Sequence, residues 1–223
     1  MKASTSVALT FAALTALGGC AYKGGDIGDP LHRKFHWFSF IGGEDIAATC
    51  AADTPDRARL VYNAVWGQQT RIYEWDSLRR SLRIRVVGGG NLTALSLSDP
   101  LAPWRAEETK ATLDQAGLNA LNAALDAAGG FGPAAIGLEL PSHAYYWTAA
   151  TCRGGKFTFT GWLYPSDRFE AARFPAALFA LDPDRQSVIS PAPIPFDPIR
   201  NFDQKRGATG EFTLKVGVKG LGR

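Results

Sequence analysis

Residues 57–87 read RARLVYNAVWGQQTRIYEWDSLRRSLRIRVV, and this run decides the fold. Arg59 to Val65 and Gln69 to Trp75 are rich in β-branched and aromatic residues, and Trp66-Gly67-Gln68 between them suits a hairpin turn. Leu82, Ile84 and Val86 alternate with Arg83 and Arg85, which predicts one buried and one solvated face. Gly88-Gly89-Gly90-Asn91 then turns the chain into Leu92 to Leu97, completing an expected four-stranded antiparallel meander.

Downstream, Asp99-Pro100 and Pro103 end the meander, and Glu107 with Glu108 favour a helix start through the macrodipole. Leu113, Leu118, Leu121 and Leu125, with Ala124 and Ala128, form an apolar stripe at helical spacing that Gly129-Gly130 stops. Strands are expected at Ala134 to Leu140, His143 to Thr151 and Lys156 to Tyr164; in the last, Phe157 and Phe159 oppose Thr158, Thr160 and Trp162. Ser166-Asp167 caps a short helix through Leu181 that Pro175 must kink or divide. Five prolines from Pro183 to Pro198 make 182–206 an irregular segment, and the alternation from Glu211 to Val218 predicts a late strand returning to the sheet. Upstream, Leu31 to Phe40 interleaves basic and aromatic residues. It reads as an opening strand, with a membrane-interface segment as the competing reading. The expected fold class is α+β. A mainly antiparallel sheet, a meander plus later hairpin strands, carries one main amphipathic helix, in a single domain over 32–223.

The N-terminus has three zones: Lys2, an apolar stretch from Val7 to Leu17, and the small residues Gly18 and Gly19 before Cys20. The stretch is too short for a hydrocarbon core, which takes about twenty apolar residues. Leu17-Gly18-Gly19-Cys20 resembles the lipobox of bacterial lipoproteins, which implies removal of 1–19 as a signal peptide and lipidation of Cys20. An ordinary secretory signal with an incidental cysteine is the alternative. In Gram-negative lipoproteins Ala21, rather than Asp, after the cysteine implies the outer membrane, with the domain facing the periplasm. The anchor would carry more than one acyl chain, each buried methylene adding about 0.8 kcal/mol. Residues 20–31, with Gly24, Gly25, Gly28 and Pro30, read as a tether.

Of 24 basic side chains Lys2 leaves with the leader, and the remainder nearly balances 21 acids, too even for nucleic-acid binding. With Cys20 assigned to lipid, Cys50 and Cys152 remain as an even pair in an exported chain, and a disulfide is expected. Two separate buried thiols are the alternative; a redox pair lacks the Cys-x-x-Cys spacing.

No nucleophile elbow, phosphate loop, dinucleotide fingerprint or zinc-protease pair is found, so no catalytic residue, metal or cofactor is assigned. His32 and His36 would share a helix face, but on a strand they lie roughly 13 Å apart. The acidic groupings Glu44-Asp45, Glu74 with Asp76 and Glu107-Glu108 each read equally as a turn, a strand face or a helix end. Tyr62, Asn63, Trp66, Gln69, Arg71 and Tyr73 combine the residue types of interface hot spots and are the candidate binding face, with core packing as the bland reading. The expectation is a non-enzymatic, lipid-anchored envelope protein contacting a partner protein or envelope component. A periplasmic hydrolase with a sparse active site is the alternative.

Overall fold

A computed structural model describes residues 21–90, 92–195 and 210–222. The lipobox with Cys20, Asn91 and positions 196–206 of the proline-rich segment lie outside the described residues. The chain is α+β. Eight-residue strands β1 (Arg57–Ala64), β2 (Gln69–Asp76) and β3 (Ser81–Gly88) form the meander, and β4 (Glu107–Thr112) extends it. Strands β6 (Tyr145–Arg153) and β7 (Lys156–Leu163) add on the other side of β1, giving one antiparallel sheet in the order β4-β3-β2-β1-β6-β7. A small sheet holds β5 (Glu139–Pro141), β8 (Thr213–Gly217) and β9 (Gly220–Leu221).

Register follows from the side-chain period of two, since a one-residue slip would turn every core residue outward. Leu60 faces Tyr73 across the first hairpin and Tyr62 faces Trp147 across the β1–β6 pair. These rings and Trp162 lie on one face of the sheet. Helix α3 (Gln115–Ala127) buries Leu118, Leu121 and Leu125 there, the expected stripe, and α5 (Phe174–Leu181) adds Phe174 and Leu178. The opposite face carries Val61, Ile72, Tyr146 and Phe159 under α1 (Pro30–Ile41), α2 (Glu44–Ala48) and the small sheet. Gly43, between α1 and α2, has φ +70°, and a Cβ there would collide with Ala150, so glycine lets this corner press on β6.

Several expectations are corrected. Residues 31–40 are helix, not strand: Asp29 caps it by accepting from Leu31 N at 3.0 Å and His32 N at 2.9 Å, and Pro30 opens the first turn. The buried positions Arg33, Trp37, Phe40 and Ile41 follow the helical period, and the alternation of aromatics was fortuitous. Residues 21–31 are not a free tether, because Tyr22 and Ile27 are buried against α1. Leu92 to Leu97 is a 3-10 turn (Leu92–Ala94) and loop, while Glu107 and Glu108 lie on the exposed edge strand β4. The helix begins later, at an Asp114 cap that accepts from Gly117 N at 2.7 Å. Of the strand expected at 134–140 only Glu139–Pro141 forms, and the late strand β8 joins the small sheet. The Ser166-capped stretch is divided, as Pro175 leads one to expect, into α4 (Asp167–Ala171) and α5, with Pro175 in the first turn of α5.

Cys50, just after α2, is bonded to Cys152 on β6, with Cα atoms 5.6 Å apart. The bridge joins α2 to the sheet and closes a loop spanning 102 positions. Among the described residues no helix is long and apolar enough to cross a membrane.

Candidate functional site

The phase of the meander expected to be solvated is in part covered, with Arg59 and Arg85 buried; it puts Arg57 and Arg59 on β1, Glu74 and Asp76 on β2, Arg83 and Arg85 on β3, and Glu108 and Lys110 on β4. Opposite charges thus meet across adjacent strands. Arg59 donates from Nε to Glu74 at 2.8 Å, from Nη1 and Nη2 to Asp45 of α2 at 2.8 Å, and from Nη1 to the Phe40 carbonyl at 2.7 Å. Its guanidinium carbon lies 3.6 Å from the centre of the Phe40 ring. Burial works to lower the Arg59 pKa, but Glu74 and Asp45 outweigh it and hold the group above its ordinary value. Arg85 continues the ladder, with Nη1 to Glu74 at 2.5 Å and Nε to Glu108 at 2.9 Å.

Around this satisfied ladder lies an open groove of about 640 Å³, walled by α2, the strand faces and the segment Tyr22 to Gly24. Its cations are Lys23, Arg57, Arg59, Arg79, Arg83, Arg85 and Lys110, against Asp45, Glu74 and Asp76, with Glu108 at the rim. The rim cations are loosely held. Arg83 is 3.4 Å and Lys110 3.7 Å from the Glu108 carboxylate that Arg85 already engages, and Arg79, largely exposed, is 3.6 Å from Asp76. Exposed pairs of this kind contribute about 1 kcal/mol or less, so an incoming anion displaces little. Arg57 donates from Nη2 to Ile46 O at 3.1 Å and to Thr49 Oγ1, while its buried Nε has no partner among the described residues. Tyr22, at the groove wall, has its phenol pKa raised by burial and stays neutral.

The six candidate binding residues do not form an exposed face. Tyr62, Gln69, Arg71 and Tyr73 lie on the other side of the sheet, enclosed beneath the stretch Asp182–Ile189. Arg71 Nη1 meets Asp182 at 2.6 Å, with both side chains fully buried, and Nη2 meets Asp184 at 3.0 Å. Tyr73 OH donates to Asp182 at 2.8 Å; burial, then the Asp182 carboxylate, drives its pKa well above the ordinary phenol value. Tyr62 OH donates to Ile189 O at 2.7 Å and Gln69 Nε2 to Ser187 O at 2.9 Å. The recognition chemistry is present, but its ligand is the chain itself. Asn63 points to the α1 face, donating to Ser142 O at 2.9 Å and Ala144 O at 2.7 Å, and Trp66 packs there on Trp37 with ring centres 5.3 Å apart.

His32 and His36 share a helix after all, with ring centres 4.3 Å apart beside Tyr22, yet no cluster of three metal donors exists among the described residues. Asp45, Glu74 and Glu108 are engaged by arginines, and Glu44 accepts from Ser39 at 2.8 Å. The groove arginines were missed because each looked like one solvated strand position. The available signal was their period-two recurrence on β1 and β3 with acids between them on β2. Comparison with protein-family models, curated proteins and solved structures finds no match for this chain.

Proposed function

We propose that this chain is a lipid-anchored envelope protein, held through Cys20, whose domain is a non-enzymatic binding module for an anionic envelope component. The observation that carries the reading is the surplus of loosely held cations, Arg79, Arg83 and Lys110, around an internally satisfied Arg59–Glu74–Arg85 ladder. A fixed floor with exposed, loosely paired cations at its edge suits capture of phosphate or carboxylate groups. The disulfide supports export to an oxidising compartment. The Leu17 to Cys20 motif supports the anchor and, in a Gram-negative envelope, Ala21 supports the outer membrane with the domain in the periplasm.

The binding test uses the full chain titrated calorimetrically with hexametaphosphate as a polyanion probe at low and moderate salt. Arg83→Glu combined with Lys110→Glu is expected to weaken binding by about tenfold or more, since the pair reverses charge on the groove floor and rim. Equal binding by the parent and the double variant would overturn the groove as the site. Intact-mass analysis of the chain expressed in a bacterium tests the anchor separately, a free Cys20 thiol being the refuting result.

A further inference from the structure

The outer side of α1 carries three large exposed apolar side chains on one helix face. Leu31, Phe35 and Phe38 stand at positions i, i+4 and i+7 of one helix face and are 54%, 66% and 51% exposed. The inward side of the same helix is fully used, with Arg33, Trp37, Phe40 and Ile41 buried. Phe38 rests edge-on against Phe212 and still leaves half its surface in solvent. Leu78 and Ile136 are single exposed side chains in turns, and Leu95, Leu97 and Trp104 lie along the connection between β3 and β4, not on one face of a helix.

Charge on this helix points to the occupant. Lys34 is exposed on the same face, and PLHRKFHWFSFI contains no acid, so nothing on the helix repels an anionic surface. An apolar stripe with a flanking cation matches a helix lying in the headgroup layer, its apolar side sunk about 5–10 Å. Covalent connectivity supplies the third argument. Tyr22 packs on His32, His36 and Phe40 of α1, with ring centres 5.0–6.3 Å apart. Only two peptide units separate Tyr22 from Cys20, so at ~3.8 Å between successive Cα atoms an acylated Cys20 sits within about 8 Å of the Tyr22 Cα. The chain therefore meets its acyl anchor beside this helix.

We infer that Leu31, Phe35, Phe38 and Lys34 form a second membrane contact, bedding α1 into the leaflet that holds the Cys20 anchor. This rests on the lipid-anchor reading. Two attachments fix an orientation where one acylated residue leaves the domain free to swivel, and they bring the Tyr22–Gly24 wall of the arginine groove close to the membrane surface.

The experiment labels Phe35→Cys in the full chain with an environment-sensitive fluorophore, and Ala123→Cys on the exposed side of α3, across the sheet, as the comparison. Cys50 and Cys152 are bonded to each other, and the parent chain labelled in parallel reports any free Cys20. On vesicles of phosphatidylglycerol and phosphatidylcholine, the label at 35 is expected to shift to the blue and to be quenched by a lipid-borne quencher, with the label at 123 unchanged. Water-like emission at 35 from chains bound to vesicles overturns the inference. So does a blue shift that needs no vesicles and grows with protein concentration, which would assign the face to a second copy. Intact mass reads the anchor independently: an unacylated chain refutes the anchor reading alone, and a shift at 35 on adding vesicles then still supports the contact, while its absence overturns it.

Discussion

Two arginine assemblies sit back to back on the same three-stranded meander, and their contrast shows how a sheet separates structure from site. On one face Arg71 is sealed under α5 and the Asp182–Ile189 stretch, with its charge met by the buried Asp182. On the other face Arg59 and Arg85 share Glu74, and the groove beside them stays open. The residue types are the same. What differs is cover: the first assembly has enough chain above it to exclude water, so it clamps; the second is held at its Arg59 end by Phe40 and Asp45 while Arg83 and Lys110 at its other end stay open to the groove, so it can meet a ligand.

The sharpest way to break the contrast is Asp182→Ala, which leaves the Arg71 guanidinium buried without its main partner and removes the acceptor of Tyr73 OH. Denaturant unfolding should show a loss of about 3–5 kcal/mol. Replacing both Cys50 and Cys152 by serine should follow, at about 2–4 kcal/mol, because the open chain regains the freedom of a long loop. Hydrogen exchange should then rise first in α2, the groove wall the bridge secures. Glu74→Gln should cost less, about 1–2 kcal/mol, since the ladder is partly solvated and the amide keeps one acceptor. A loss as large as that of Asp182→Ala would erase the distinction between clamp and site.

The smallest effect is acidic. The hydrogen bond from Ser187, and then Arg71, hold the Asp184 pKa below its ordinary 3.8. Its contribution is therefore present in full above that value and lost as the pH falls through the lower folded-state value. Unfolding midpoints compared at pH 5 and pH 3 in the parent and Asp184→Asn should converge at the lower pH. Because Asp184 is half-exposed, the difference should be a fraction of that seen for Asp182→Ala.

The meander and α3 were legible because period two and period 3.6 were clean there. Helix α1 was not, because its exposed Phe35 and Phe38 joined buried Trp37 and Phe40 in a false alternation. The Asp29-Pro30 cap was the better signal. Strand β4 reads EETKAT and resembles a helix start, yet charge is also how an exposed edge strand resists pairing with another chain. The buried arginine clamp escaped notice because Asp182 and Asp184 come from more than a hundred positions downstream of Arg71. Nothing local to β2 could announce which of its polar residues would be covered.

The position of β1 between β2 and β6 has a kinetic consequence. Its partner β2 follows at once in the chain, but the strand that completes it, from Tyr145 to Arg153, arrives only after the whole α3 region. Until then a strand that is almost wholly buried in the finished fold shows one bare row of amide and carbonyl groups, a template for pairing with other molecules. Closing that gap is a long-range search, slower than the local hairpin closures that precede it. The yield of native protein should accordingly fall steeply with chain concentration during refolding, and a holdase that occupies the β1 edge should restore it.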